Sequence, residues 1–166
     1  MNRKRILLVS IIVVLLSTAV TALALARQDD LAPVRQANAQ YKRLEVAEAA
    51  GYQLVPGLDH CFNNPGVGAM GYHYINVDQL DLELDLLQPE ALVYAPGPQG
   101  QLNLAAVEYI VPAEAWDDAG NTTPPSVAGH TLHLNEVLGV YVFHAWIFMN
   151  NPSGIFEDWN PNVSCP

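Results

Sequence analysis

Two periods organise the polar and apolar positions of this chain. From Val34 through Ala37, Tyr41, Leu44 and Ala47, apolar residues recur at three- and four-residue spacing in a segment rich in Ala, Leu, Gln, Arg and Glu, which predicts an amphipathic helix. Asp29 and Asp30 suit its N-cap and first turn, Pro33 is tolerated there, and Gly51 suits its C-cap. From Met70 onward the period shortens to two, and β-branched and aromatic residues gather in short runs bounded by Gly, Pro and Asn. MGYHYIN, ALVYAP, LNLAAVEYIVP, GHTLHLN and GVYVFHAWIFM each predict a strand, and the turn GPQG joins the second to the third as a hairpin. VDQLDLELDLL fits two patterns. Its alternation of Leu80, Leu82, Leu84 and Leu86 with Asp81, Glu83 and Asp85 suits a half-buried edge strand, whereas its Asp-rich start and Pro89 suit a helical turn in a connection. The architecture expected is α+β: an N-terminal helix packed on a mainly antiparallel β-sheet of five or so strands, either open or barrel-like.

The run Gly139 to Met149 is apolar on both faces of its strand. Val140, Val142, Trp146 and Phe148 lie on one side and Tyr141, Phe143, Ala145, Ile147 and Met149 on the other. Both sides must be covered, by the helix and loops, by barrel closure or by a second copy of the chain in a homodimer.

The N-terminus changes the picture of location. MNRKR runs into ILLVSIIVVLLSTAVTALALA, a basic start followed by a long apolar stretch, and Ala24-Leu25-Ala26 offers a cleavage site. Residues 1–26 are expected to be a signal peptide, with an uncleaved N-terminal membrane anchor as the alternative, and residues 27–166 a single domain in an extracytoplasmic setting, periplasmic or secreted. The chain holds 7 Lys and Arg against 17 Asp and Glu. No Lys or Arg follows Arg43, so that region has no ordinary salt bridge to make within itself and would repel a phosphate backbone; nucleic acid is excluded as a partner. The acidic alternation from Asp81 to Asp85 reads as a solvated face, since the glycine a calcium-binding EF-hand loop needs is missing.

The two cysteines, Cys61 and Cys165, are expected to form a disulfide tying the C-terminal tail to the loop before the first central strand. The alternative is a metal or redox thiol at Cys61 beside His60, which lacks the spacing of a CxxC pair. Phe156, Trp159 and Cys165 are expected to pin the otherwise irregular tail across the domain.

One acid stands out against this background. Glu108 falls amid Leu102, Leu104, Ala106 and Ile110 in period two, and a carboxylate among hydrocarbons must be protonated, hydrogen-bonded or paired with a cation. With no Lys or Arg nearby in sequence, its partners are histidine, backbone, tyrosine hydroxyl, a bound metal or a basic residue from the helix. His73 and His144 hold comparable central positions in their own strands. If those strands are neighbours, His73, Glu108 and His144 make a two-histidine, one-carboxylate set suited to Zn, Fe, Mn or Cu, with His60, His130 or His133 as a fourth ligand. The bland alternative is a buried hydrogen-bond network that fixes strand register. No HExxH or cupin-type spacing is present, and Ser126, Ser153 and Ser164 lie outside any nucleophile-elbow sequence. The chain's partners are thus expected to be a metal ion and a small ligand, or an envelope protein; a membrane enters only through an uncleaved N-terminal segment.

MGYHYIN, PEALVY, VEYIVP and HAWIF, together with AEAAGY and the NPSGIFEDWNPNVSC tail, resemble a family of exported bacterial proteins. The resemblance covers nearly all of residues 27–166 and implies a small exported domain. It brings no activity, substrate or cofactor with it.

Overall fold

The computed structural model describes residues 31–166; the expected signal segment 1–26, Arg27 and the two aspartates expected at the helix start lie outside them. The helical segment is broken rather than continuous. Helix α1 spans Ala32–Asn38, a 3-10 turn Ala39–Lys42 and helix α2 Leu44–Ala49, with Arg43 extended between the last two (φ −96°, ψ 110°). Two side chains account for the break. The Asn38 amide donates to the Val34 carbonyl (2.9 Å) and to Leu87 O (3.2 Å), competing with the helix ladder at its own turn. The Tyr94 hydroxyl, rising from the sheet, donates to Tyr41 O (2.6 Å), the carbonyl a continuous helix would offer to residue 45.

Strands β1 (Phe62–Asn64), β2 (Gly68–Ile75), β3 (Ala91–Pro96), β4 (Leu102–Pro112), β7 (His133–Asn135) and β8 (Val140–Ala145) form one sheet in the order β1-β2-β3-β4-β8-β7, antiparallel at every pairing. It curls into a half-barrel. Between β4 and β7 lie helix α3 (Ala113–Asp118) and a small separate pair, β5 (Ser126–Val127) with β6 (His130–Thr131). The run GHTLHLN is therefore two strands, not one, divided at the buried Leu132. Of the two patterns open to VDQLDLELDLL, the turn is the one formed. A 3-10 turn spans Val77–Gln79, capped by the Asn76 side chain, which accepts from Asp78 N (3.2 Å), and the leucines that follow lie in an irregular connection.

A register shift between Val93 and Tyr94 inserts one extra residue, Ala105, into β4. A bulge of this kind reverses which face the alternation presents, so Leu102 and Leu104 do not share the face of Glu108 as strict period two had it. On the convex side Leu92, Tyr94, Val107 and Tyr109 are buried. Two tyrosine hydroxyls there reach over to backbone carbonyls of the covering segments, Tyr94 to Tyr41 and Tyr109 to Leu86 (2.6 Å), and Tyr52, within the covering segment, donates to Pro89 O (2.8 Å). Each satisfies a polar tip at the end of a large apolar ring. The convex side of the sheet is thus covered within the chain.

The concave side has two apolar groups. One joins Ala69, Val93, Ala95, Ala105, Ala106 and Trp146 to Val163 of the tail; the other joins Ile75, Ala91, Ile110 and Val142, flanked by Leu58 and Leu80. The tail closes over the first. Ala69 and Asn160 exchange backbone hydrogen bonds (3.1 Å each) and Trp146 Nε1 donates to Glu157 O (2.6 Å), while on the other side of β8 Phe156 packs against Phe143 and His130. The expected disulfide is formed between Cys61 and Cys165. Asn151 and Asn160 add pins the sequence had not singled out: the Asn151 amide donates to Glu157 O and Trp159 O, and the Asn160 amide to Asn150 O.

Candidate functional site

Between these two apolar groups lies a polar island. Along β4 the order on the concave face is Ala106, Glu108, Ile110, and along β8 and just past its end it is Val142, His144, Trp146, so each polar residue separates a member of one group from a member of the other. Glu108 and His144 are direct cross-strand partners in the β4–β8 ladder. His73 stands on β2, two strands from Glu108 and three from His144. In a flat sheet with strands about 4.8 Å apart, β2 and β8 would be separated by about 14 Å, too far for two imidazoles to meet. The curl of the half-barrel closes that gap, and small residues beneath it (Ala91, Ala106) leave room for the rings to lean inward.

The three expected residues therefore converge. His73 Nε2 lies 3.2 Å from His144 Nε2 and 3.4 Å from Glu108 Oε2, and His144 Nε2 lies 3.6 Å from Glu108 Oε1. All three are buried, His144 to 1 % exposure. The carboxylate offers one oxygen to each imidazole. Of the partners open to Glu108, histidine is the one supplied. No basic residue reaches it from the helical segment: Arg35 donates to Ile147 O (2.6 Å) and Arg43 pairs with Glu45 (2.8 Å).

A fourth group, unforeseen in the sequence, completes the cluster. Asp158, in the tail, accepts from His144 Nδ1 at 3.2 Å through Oδ1, and its Oδ2 lies 3.1 Å from His133 Nε2. Because a carboxylate only accepts, His144 carries its proton on Nδ1 towards Asp158, which leaves Nε2 aimed at His73 and Glu108. His133, half exposed, thus touches the island through Asp158 and not as a ligand. His60 packs at a tilt against Phe62 (4.3 Å between ring centres), which meets His73 edge-on (5.0 Å); His130 stacks on Phe143. Neither is among the converging donors. Asp158 was hidden because the tail has no period from which its direction could be read.

The electrostatics follow from burial and from this ring of neighbours. Burial, then the charge of His144, pushes His73 down to about 3, so its ring is neutral. Burial raises Glu108, against the opposing pull of His144. Burial alone would lower His144, but Glu108 and Asp158 together outweigh it and its affinity for a proton is raised. Asp158 is lowered: burial would raise it, and the hydrogen bond and charge of His144 prevail. Around the island, positive charge is scarce and electron pairs are plentiful.

A second buried acid, also missed in the sequence, stands nearby. Glu90, just before β3, is 2 % exposed and its Oε2 accepts from Ile110 N at 2.9 Å. Burial pushes it up to about 7, opposed by its hydrogen bonds to backbone.

His73, Glu108 and His144 form the one group of metal-type donors close enough to share an ion among the described residues. Two chemistries fit them, coordination of a cation or a proton-sharing network. No protein family, no curated protein and no solved structure matches this chain.

Proposed function

We propose that the concave face binds a divalent transition metal ion through His73 Nε2, His144 Nε2 and the Glu108 carboxylate. The observation that carries this reading is the spacing of the donors. An ion with four ligands at 2.0–2.1 Å holds them about 3.4 Å apart; here the two imidazole Nε2 atoms are 3.2 Å apart, Glu108 reaches His73 through Oε2 at 3.4 Å and His144 through Oε1 at 3.6 Å, and one donor atom from each residue fits within 4.8 Å. Asp158 supplies the partner that a metal-binding imidazole ordinarily has on its other nitrogen, fixing the His144 tautomer and ring orientation. Three protein ligands leave positions open for water or a small ligand, the arrangement of a site that binds and polarises rather than one that only holds a fold together. Zn, Fe, Mn and Cu all suit two imidazoles and a carboxylate. The disulfide supports work in an oxidising compartment, which agrees with the export segment expected at residues 1–26.

A second reading has its own observation. His73 Nδ1 is buried with no hydrogen-bond partner among the described residues, whereas a metal-bound imidazole usually donates from that atom. In that reading the three residues share protons, hold β2, β4 and β8 in register, and serve a structural or interaction module of the cell envelope. Elemental analysis of the full chain purified without a histidine tag separates the two. Near-stoichiometric metal that is lost in Glu108→Gln and His144→Ala supports coordination. A wild type that stays metal-free when titrated with Zn, Mn, Fe or Cu, with no change in melting temperature, establishes the network instead.

A further inference from the structure

The tail covers only one half of the concave face. Over the other half, beyond Glu108, lies a cavity of about 240 Å³ whose floor is Ile75, Ile110 and Val142 and whose walls include Leu58 and Leu80. His73 and Glu108 line it as well, so the polar island forms one end of a space whose remaining walls are apolar except for Asn135, whose Oδ1 accepts from Leu138 N (3.2 Å). A cavity of about 150 Å³ holds benzene, which makes the present one large enough for roughly ten non-hydrogen atoms. It has the usual form of a small-molecule site, apolar walls with a few convergent polar groups at one point.

Charge narrows the ligand further. No Lys or Arg lines the cavity, and none follows Arg43 in the sequence. The polar end is built of a carboxylate and the imidazole beside it, with Asp158 behind His144. These groups accept hydrogen bonds and repel negative charge. An anionic head placed there would lose its water and meet another acid. A hydroxyl or ammonium head would donate to Glu108.

We infer that this cavity binds a small hydrophobic molecule, aromatic or short-chain aliphatic, bearing one hydrogen-bond-donating head, an alcohol or a primary amine, that lies against Glu108 and His73. The site goes beyond the metal centre and does not depend on it, since the walls and the acceptor end exist without an ion. It is tested on the full chain kept in chelator, with benzyl alcohol, benzylamine, toluene and benzoate as probes, by calorimetry and by the fluorescence of Trp159, which lines the cavity. Saturable binding of benzyl alcohol or benzylamine, at least tenfold tighter than that of benzoate and tighter than that of toluene, is the expected result. Leu80→Trp and Leu58→Trp place bulk in the cavity from loops and leave the sheet untouched; each should weaken binding tenfold or more while the far-UV spectrum stays that of the wild type. Glu108→Leu, which keeps the cavity and removes the acceptor, should erase the preference for the alcohol over toluene. Absence of saturable binding to folded wild type, benzoate bound as tightly as the alcohol, or unchanged affinity in both folded tryptophan variants would each overturn the inference. Metal uptake in the elemental analysis stands apart from all of these outcomes.

Discussion

Replacing Glu90 with glutamine changes one buried atom and should stabilise the protein at neutral pH. Glu90 is 2 % exposed, and burial raises its pKa from an ordinary 4.5 to about 7. Between those values the native state keeps a proton that the unfolded chain has lost, so the stability this group contributes is whole below about pH 4.5 and falls as pH rises through about 7. At about 1.4 kcal/mol per pH unit the full loss is about 3 kcal/mol, a large part of the stability of a small domain. Glutamine keeps an oxygen for Ile110 N, which the Glu90 carboxylate accepts at 2.9 Å, and it cannot ionise. The difference in unfolding free energy between Glu90→Gln and wild type should therefore be small at pH 4.5 and grow to about 3 kcal/mol in favour of the variant by pH 8. Urea titrations across that range, in chelator so that no ion contributes, measure it directly. Taking the difference cancels every titration the two proteins share, including that of Asp158, whose lowered pKa acts in the opposite sense: its stabilisation is present above its unfolded value and lost in acid. Parallel pH profiles for the two proteins would refute the reasoning and place the Glu90 carboxylate in contact with water or a cation.

Asp158→Asn keeps the shape of the carboxylate but removes the charge that orients His144, and should weaken metal uptake ten- to a hundredfold in a competitive chelator titration; unchanged affinity would remove Asp158 from the site. Reducing the Cys61–Cys165 bond, which closes a separation of 104 residues, should cost about 4–5 kcal/mol in urea unfolding with and without dithiothreitol. Gly71→Ala should destabilise by about 3 kcal/mol or more on the same assay, because Gly71 holds φ at 112° and a Cβ there would run into the Tyr94 carbonyl of the neighbouring strand. His73, held neutral down to about pH 3, must take up a proton when the chain unfolds in acid, so the unfolding free energy of His73→Leu relative to metal-free wild type should rise as pH falls below about 6.5, a difference in which the titration of Glu90 cancels.

The candidate site was legible where residues sat in the middle of strongly patterned strands. An acid at position 108 with no lysine or arginine in reach had to find another companion, and the two central histidines were the ones available. Their convergence depends on curl, which period two does not express. What stayed hidden had particular physical causes. The helix is interrupted because Tyr94, fifty-three residues further on, takes the carbonyl of Tyr41, a tertiary choice that helical spacing cannot reveal. Leu102 and Leu104 were assigned to the wrong face because a single extra alanine at 105 reverses the alternation. Glu90 stands next to Pro89 at the start of a strand, where an acid reads as surface. Asp158 belongs to a segment without regular hydrogen bonding, positioned by Asn151, Trp146 and a crosslink, and no local pattern marks any of these as neighbours of His144.

That last arrangement sets an order of construction. His73 and Glu108 leave the ribosome first, His144 follows, and the carboxylate that steadies it comes fourteen residues later, within a strap that Trp146, Asn151 and the Cys61–Cys165 bond fasten together. The three buried side chains are thus all made before the group that orients one of them, and a chain halted short of Asp158 would carry His73, Glu108 and His144 without the carboxylate that His144 Nδ1 donates to.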